Sequence, residues 1–336
     1  MKRISRWIVL VTMLMLVAGS VPGTVAAQAQ SGLKVNITFG SGTAGGTMWP
    51  ITEGVAELIR KEYPGSNVTV TTGQDGSNQI RTGLGQLELG ICYIAGAALA
   101  RAGEYPYDMA YPKIKAVCNL YNSIVHFAVT TKSGITSFDQ IREEKYPLKL
   151  NCMAPKGSIQ EISARTILAG YGITYEDIES WGGKVSFIAD NTEVVELTRN
   201  GQLDAVSTLS NIPTRYIVEI ASFMDMNILE VKDEVIEKAA EKLGAAKYTI
   251  PAGTYPFLKK DVNTITLPVA LITHDGVSED VVYAITRSIE LNTDYLANLE
   301  HVLKGLTPER LARVAPLPLH PGAEKYYKEV GALPTN

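Results

Sequence analysis

The sequence has little of what disulfide-built, metal-dependent or classically catalytic proteins rely on. Cysteine occurs three times and histidine four times in 336 residues, and no Cys–His spacing resembles a metal site. Neither a Gly-x-Ser-x-Gly elbow, a His-Glu-x-x-His pair nor a P-loop lysine occurs. Positive charge is not in excess: 31 Lys and Arg face 35 Asp and Glu, a net charge of −4. That balance excludes the basic face of a nucleic-acid binder. What is present is 46% hydrophobic and 20% charged, the composition of a globular protein with a substantial core. It excludes a polytopic membrane protein and a disordered tail. At roughly 100–200 residues per domain, this length predicts two domains.

The first segment has its own character. Lys2, Arg3 and Arg6 precede an apolar stretch from Trp7 to Ala18, and small residues follow. Val25-Ala26-Ala27 and Ala27-Gln28-Ala29 both fit a small-x-small cleavage pattern, so residues 1–27 read as a secretory signal peptide. An uncleaved anchor helix is the alternative, although the run is short for a bilayer. No cysteine near the cleavage site offers a lipid anchor. Cleavage after Ala27 leaves 28 cations against 35 acids, a charge of −7, and predicts an acidic, periplasmic protein. The odd number of cysteines leaves at least one thiol unpaired there. Cys92, Cys118 and Cys152 all lie beside apolar residues and read as buried core positions.

The strongest internal signal is a repeat. Gly85-Gln86-Leu87-Glu88-Leu89-Gly90-Ile91 recurs 116 residues later as Gly201-Gln202-Leu203-Asp204-Ala205-Val206-Ser207. Each copy ends a helix at glycine and opens a short apolar strand. Upstream, Val35–Phe39 leads into the Gly-rich run Gly40–Thr47, and Leu148–Met153 leads into Ala154–Ser158. The spacing from loop to repeat is 43 residues in the first copy and 44 in the second. An amphipathic helix and a second strand (Val68–Thr72, Lys184–Ala189) lie between, so each copy predicts a βαβαβ unit. Two extended stretches, Lys115–Thr131 and Val262–Thr273, link the copies, and a helix over Ser278–Leu299 packs back on the first. The expectation is an α/β chain of two lobes, each a mostly parallel sheet flanked by helices, joined by two hinge strands. Residues 31–124 and 270–336 form the first lobe and 125–269 the second. This is the architecture of a periplasmic binding protein, in which the lobes close around a ligand.

Ligands of open α/β sheets bind beyond the carboxyl ends of strands, at helix N-termini. That rule selects Gly42, Thr43, Gly45 and Thr47 in the first loop, Asp75, Ser77 and Asn78 in the second, and Gly157 and Ser158 in the third. It also selects the loop Asp190–Thr192 and the strand ends Tyr93-Ile94 and Ser207–Asn211, where Tyr93, Ser207 and Ser210 are the candidates. Hydroxyls and amides beside free backbone N–H groups suit a carboxylate, though Ser, Thr and Asn also cap helices. Tyr93, Tyr121 and Tyr255, at strand ends or hinges, supply wall area with a hydroxyl. Arg81 and Arg165 lie within helices, where each either reaches a carboxylate or faces solvent. His126 and His274 flank the hinge strands and suit structural hydrogen bonds. Gly40-x-Gly42-x-x-Gly45 also matches a dinucleotide fingerprint, but a lone match is weak and a second lobe of the same build is foreign to that reading.

Several segments resemble TAXI-type solute-binding proteins, the extracytoplasmic subunits of some TRAP transporters. They are Gly42-Thr43-Ala44-Gly45-Gly46-Thr47 before a helix, Thr72-Gly73-Gln74-Asp75-Gly76-Ser77-Asn78, Leu120-Tyr121, Gly157-Ser158, Gly253-Thr254-Tyr255-Pro256 and Val281–Thr286. The most specific is His320-Pro321-Gly322-Ala323 with Tyr326-Tyr327. The resemblance spans essentially the whole mature chain. It implies a type II periplasmic binding protein fold, with no enzyme activity, no cofactor and no metal. It also implies a ligand such as glutamate, glutamine or a related C5 acid, and delivery to TRAP membrane permease subunits. The chain departs from the family pattern at Gln160, where a small residue is usual, and at Ser207-Thr208-Leu209-Ser210, where a glycine is usual. Two other functions remain open on the residues: an exported hydrolase using Asp75 with Asp190, and a ligand-sensing subunit for a membrane kinase.

Overall fold

The computed structural model describes residues 32–43 and 46–334; the expected signal peptide and Gly45 lie outside the described residues. Along the chain run β1 (Asn36–Gly40), α1 (Met48–Glu62), β2 (Asn67–Thr71), α2 (Asp75–Gly83), β3 (Leu89–Tyr93), α3 (Ile94–Ala102) and the long β4 (Ile114–Thr130). There follow α4 (Phe138–Glu143), β5 (Lys149–Cys152), α5 (Ile159–Gly170), α6 (Tyr175–Ser180), β6 (Lys184–Ser186), α7 (Asn191–Arg199), β7 (Ala205–Ser210), α8 (Arg215–Ala221) and β8 (Met226–Ile228). The chain continues through α9 (Asp233–Leu243), β9 (Ala246–Ile250), the long β10 (Val262–His274), α10 (Glu279–Leu291), α11 (Thr293–Leu299), α12 (Pro308–Leu311) and α13 (Pro321–Glu329).

The α/β fold is the expected one. Strands pair in the order β2-β1-β3-β10-β4-β7-β5-β6, with β8 added to β4 and β9 to β10. The strands of each repeat copy are parallel, β2-β1-β3 on one side and β7-β5-β6 on the other. The two long strands between them are antiparallel to each other and to the copies they join. Sixteen of the 17 residues of β4 are buried or half-buried, as expected of a central strand covered on both sides. One core cluster gathers Phe39, Ile51, Val55, Ile59, Ile285 and Tyr327, and another gathers Phe127, Phe138, Leu150, Ile162 and Ile178. Cys92, Cys118 and Cys152 are all buried and unpaired.

The repeat has a common construction. Gly85 and Gly201 take left-handed φ values of 71° and 68°, which glycine adopts without strain. In both copies the next residue's N–H then reaches back to close the helix: Gln86 to the Arg81 carbonyl at 2.8 Å and Gln202 to the Leu197 carbonyl at 2.9 Å. The repeated acid has a matching role in each. Glu88 Oε2 accepts the Thr38 N–H at 2.6 Å, and Asp204 Oδ2 accepts the Lys149 N–H at 3.1 Å. Each carboxylate thus pins the first strand of its own copy.

Two elements differ from the sequence expectation for local reasons. The helix over Ser278–Leu299 breaks into α10 and α11 at Asn292, whose side-chain amide donates to Glu62 Oε1 at 2.6 Å and to the Ser288 carbonyl at 2.8 Å. The strand from Lys184 stops at Ser186 because Asn151 takes over the ladder: its Oδ1 accepts the Ile188 N–H at 2.9 Å and its Nδ2 donates to the Ile188 carbonyl at 3.0 Å.

Candidate ligand cleft

The carboxyl ends of β1, β2 and β3 on one side, and of β5 and β7 on the other, open onto two adjoining cavities of about 460 and 310 Å3. They share Gly42, Thr43, Met48, Tyr93 and Gln160 as wall. The larger cavity is completed by Asp75, Ser77, Tyr107, Lys156, Gly157 and Ser158, among others. Thr47, Tyr121, Ser123, Ser210 and Asn211 line the smaller one. α1, α2 and α5 all begin at these walls. The first-turn N–H groups of a helix lack intrahelical partners and carry the positive end of its dipole, so three such ends and the Lys156 ammonium give the space an anion-favouring character.

Each loop is held from behind. Gly42 is small because a Cβ there would sit 2.9 Å from Met48 Cβ. The buried Asn78 does not face the cavity. Its Nδ2 lies within hydrogen-bond reach of the Gly40, Ser41 and Ile91 carbonyls at 3.3, 2.9 and 2.9 Å, tying together the ends of β1 and β3. Ser77 does reach the wall, but its hydroxyl accepts the Gln74 N–H at 3.0 Å and donates to the Gln74 carbonyl at 2.9 Å. On the opposite side Ser158 caps α5 by accepting the Glu161 N–H at 3.3 Å. The fully buried Glu161 carboxylate takes the Gly157 N–H at 2.8 Å. Gln160 is fixed across the floor by donating to the Met153 carbonyl at 2.6 Å.

Asp75 is the one carboxylate in either wall among the described residues. Its Oδ1 accepts the Tyr93 N–H at 2.7 Å and Gln79 Nε2 at 3.0 Å. The Tyr107 hydroxyl in turn donates to Gln79 Oε1, which orients the amide toward Asp75. Burial pushes the Asp75 carboxyl up to about 7, against the downward pull of those two hydrogen bonds. Tyr93 completes this corner, donating its hydroxyl to Ser123 at 3.3 Å.

Of the residues selected from the sequence, Gly42, Thr43, Thr47, Asp75, Ser77, Tyr93, Tyr121, Gly157, Ser158 and Ser210 meet at the two cavities. Ser207 is buried within β7 and does not line them. Tyr255 is also in the core. Its hydroxyl accepts the Thr214 N–H at 2.9 Å and bonds His126 Nε2 at 2.9 Å, while His126 Nδ1 faces the Ile124 carbonyl at 3.1 Å. That network shapes the turn presenting Asn211, whose amide donates to Thr47 Oγ1 at 3.2 Å from the other side of the space. Arg165 pairs with Glu161 at 3.1 Å, and neither it nor Arg81 lines either of these two cavities. Asp190 caps α7 through the Glu193 N–H at 2.8 Å, so the walls hold Asp75 without it.

Tyr107 and Lys156 are wall residues not named from the sequence, while Asn211 closes the selected strand end Ser207–Asn211. Lys156 lies within the selected loop Ala154–Ser158 but carries neither a hydroxyl nor an amide. Tyr107 arrives on a loop that follows a helix, where the rule has no purchase.

Solved structures share this architecture at low identity. MatC from Rhodopseudomonas palustris, solved with bound malate, is similar over 89% of this chain and 98% of its own, at 14% identity and a TM-score of 0.52. A Xanthomonas citri protein bound to ATP is similar over 89% and 96%, at 12% identity and 0.51. The periplasmic binding protein BugD is similar over 80% and 86%, at 11% identity and 0.51. The fold is therefore that of periplasmic binding proteins. In sequence, residues 39–331 match the NMT1-like family, a span that runs from the end of β1 through the second repeat copy and includes every described wall residue, and the chain belongs to that family.

Proposed function

We propose that the protein is the extracytoplasmic solute-binding subunit of a TRAP-type transporter, a non-catalytic receptor for a small carboxylate such as glutamate, glutamine or a related C5 acid. One observation carries the reading. Three helix N-termini and Lys156 converge on a space walled by hydroxyl and amide groups from both repeat copies. That is a site for an anion held between two bodies, and the malate bound by MatC is of the same chemical class. In this reading residues 31–124 with 270–336 close against 125–269 about β4 and β10, and the closed form is what the membrane permease subunits recognise. Asp75 standing without Asp190 at the wall supports binding over hydrolysis.

Thermal unfolding of the chain from about residue 30 against amino acids and dicarboxylates tests it. Ligand at 100 times its Kd stabilises by about 2.7 kcal/mol, a shift of several degrees. Thr43→Ala, which removes an exposed hydroxyl at both cavities, is expected to weaken binding by about 1.5–3 kcal/mol if it bonds the carboxylate. Ser77→Ala is expected to cost less, because that hydroxyl already serves Gln74. No shift with glutamate, glutamine or any C5 diacid, and no small acid released from the denatured protein in mass spectrometry, refutes the ligand class.

A further inference from the structure

The loop over residues 103–113, between α3 and β4, belongs to the first copy but ends against the second. It is preshaped: the Tyr107 N–H bonds the Glu104 carbonyl at 3.0 Å and the Tyr111 N–H the Ala100 carbonyl at 2.8 Å. At its tip the half-exposed Tyr105 ring lies under the Arg165 guanidinium of α5, 4.7 Å from ring centre to Cζ. Pro106 is seated on Gly157 so closely that a Cβ at 157 would come within 3.1 Å of it. Glu161 stands behind both contacts, one oxygen on the Gly157 N–H and the other 3.1 Å from Arg165 Nε. Two residues past Tyr105, Tyr107 reaches Gln79 and through it Asp75 at the cavity wall. The loop therefore touches the opposing body and the ligand space at once.

We propose that Arg165 is a positioning residue which, braced by Glu161, latches the 103–113 loop across the cleft and governs how long a ligand stays rather than how fast it enters. A cation over an aromatic face stabilises the closed arrangement without touching ligand, and its planar stacking is something a lysine does not reproduce. The proposal rests on the binding reading above only in naming the space the loop covers.

The test measures closure directly. Spin labels on Lys61→Cys in α1 and Glu176→Cys in α6 occupy exposed positions, and the three native thiols are buried, so labelling is selective. Pulsed dipolar distances are then recorded with and without L-glutamate. Arg165→Ala is expected to lower the closed-to-open ratio about two- to thirtyfold, with Tyr105→Ala matching it from the exposed side should the arginine variant fold poorly. Tyr105→Phe, which keeps the ring, is expected to behave as the parent, and Arg165→Lys to fall between. In stopped flow the glutamate off-rate rises by the same factor while the on-rate stays put. Distances unchanged in both alanine variants, a Tyr105→Phe protein as open as Arg165→Ala, or a parent that never closes overturns the latch. Failure of glutamate to bind sinks the ligand assignment separately, leaving the ligand-free distances to decide this one.

Discussion

Replacing Asp75 by asparagine isolates one carboxyl whose cost can be worked out. In the folded chain its pKa rises from 3.8 to about 7, so the native state holds this proton more tightly than the unfolded chain does. Its contribution to stability is therefore fully present below about pH 4 and is lost as pH climbs to 7. The whole shift corresponds to about 4 kcal/mol, but the side chain is partly open to cavity water, and about 1–3 kcal/mol is the expected loss. Asp75→Asn keeps an acceptor for the Tyr93 N–H and removes the ionisation. The variant's thermal midpoint, minus the parent's, is expected to be near zero at pH 4 and to grow to about 2–12 °C by pH 8, at roughly 2–4 °C per kcal/mol. Scanning calorimetry at four or five pH values in dilute buffer, without ligand, reads this difference. Parallel curves for the two proteins would refute the reasoning, since they would mean that the carboxyl is as well solvated in the cleft as in the unfolded chain.

Other substitutions probe the supports. Tyr255→Phe leaves the Thr214 N–H and His126 Nε2 without their partner and is expected to cost about 2–4 kcal/mol in urea unfolding; a loss below 0.5 kcal/mol, roughly that of an exposed substitution, would show that network to be idle. His126 itself is held neutral by burial, its pKa lowered to about 4. The stability it confers above pH 6.5 is lost as pH falls toward 4, and His126→Gln is expected to flatten that acid limb. Gly40→Ala places a Cβ 2.5 Å from Leu87 Cδ1 and 2.6 Å from Asn78 Oδ1, for a destabilisation of about 1–3 kcal/mol that Leu87→Ala in the same chain should partly relieve. Equal midpoints for Gly40→Ala and the parent would mean that the Asn78 tie is slack.

The architecture was legible because its markers are backbone requirements. A left-handed corner needs a glycine, so Gly85 and Gly201 stood out, and an acid immediately before a strand repeated with them. The loops were legible for the same reason: a sheet's carboxyl ends are positions, not side chains. What the side chains do there is another matter. Asn78 and Ser77 are neighbours on one helix turn, yet one amide turns inward onto three carbonyls while its neighbour faces the cavity; a rotation of about 100° per residue decides it. Tyr255 looked like a wall residue until His126, 129 positions away, claimed its hydroxyl. Asn211 and Tyr107 matter through partners 164 and 28 residues distant, and no local spacing encodes such a meeting.

The place of β10 in the sheet has a consequence for how the chain comes together. It lies between β3 and β4, so nothing joins the first copy's sheet to the rest until residues 262–274 exist. Everything made earlier has an open seam: β3 and β4 both present unpaired edges, with apolar residues flanking them. Such an intermediate is slow to resolve, because the missing partner is far along the chain, and its edges invite pairing with other molecules. A chain released short of residue 262 is thus expected to aggregate rather than yield a working half. The last quarter of the sequence acts as the wedge that lets the remainder become a folded protein.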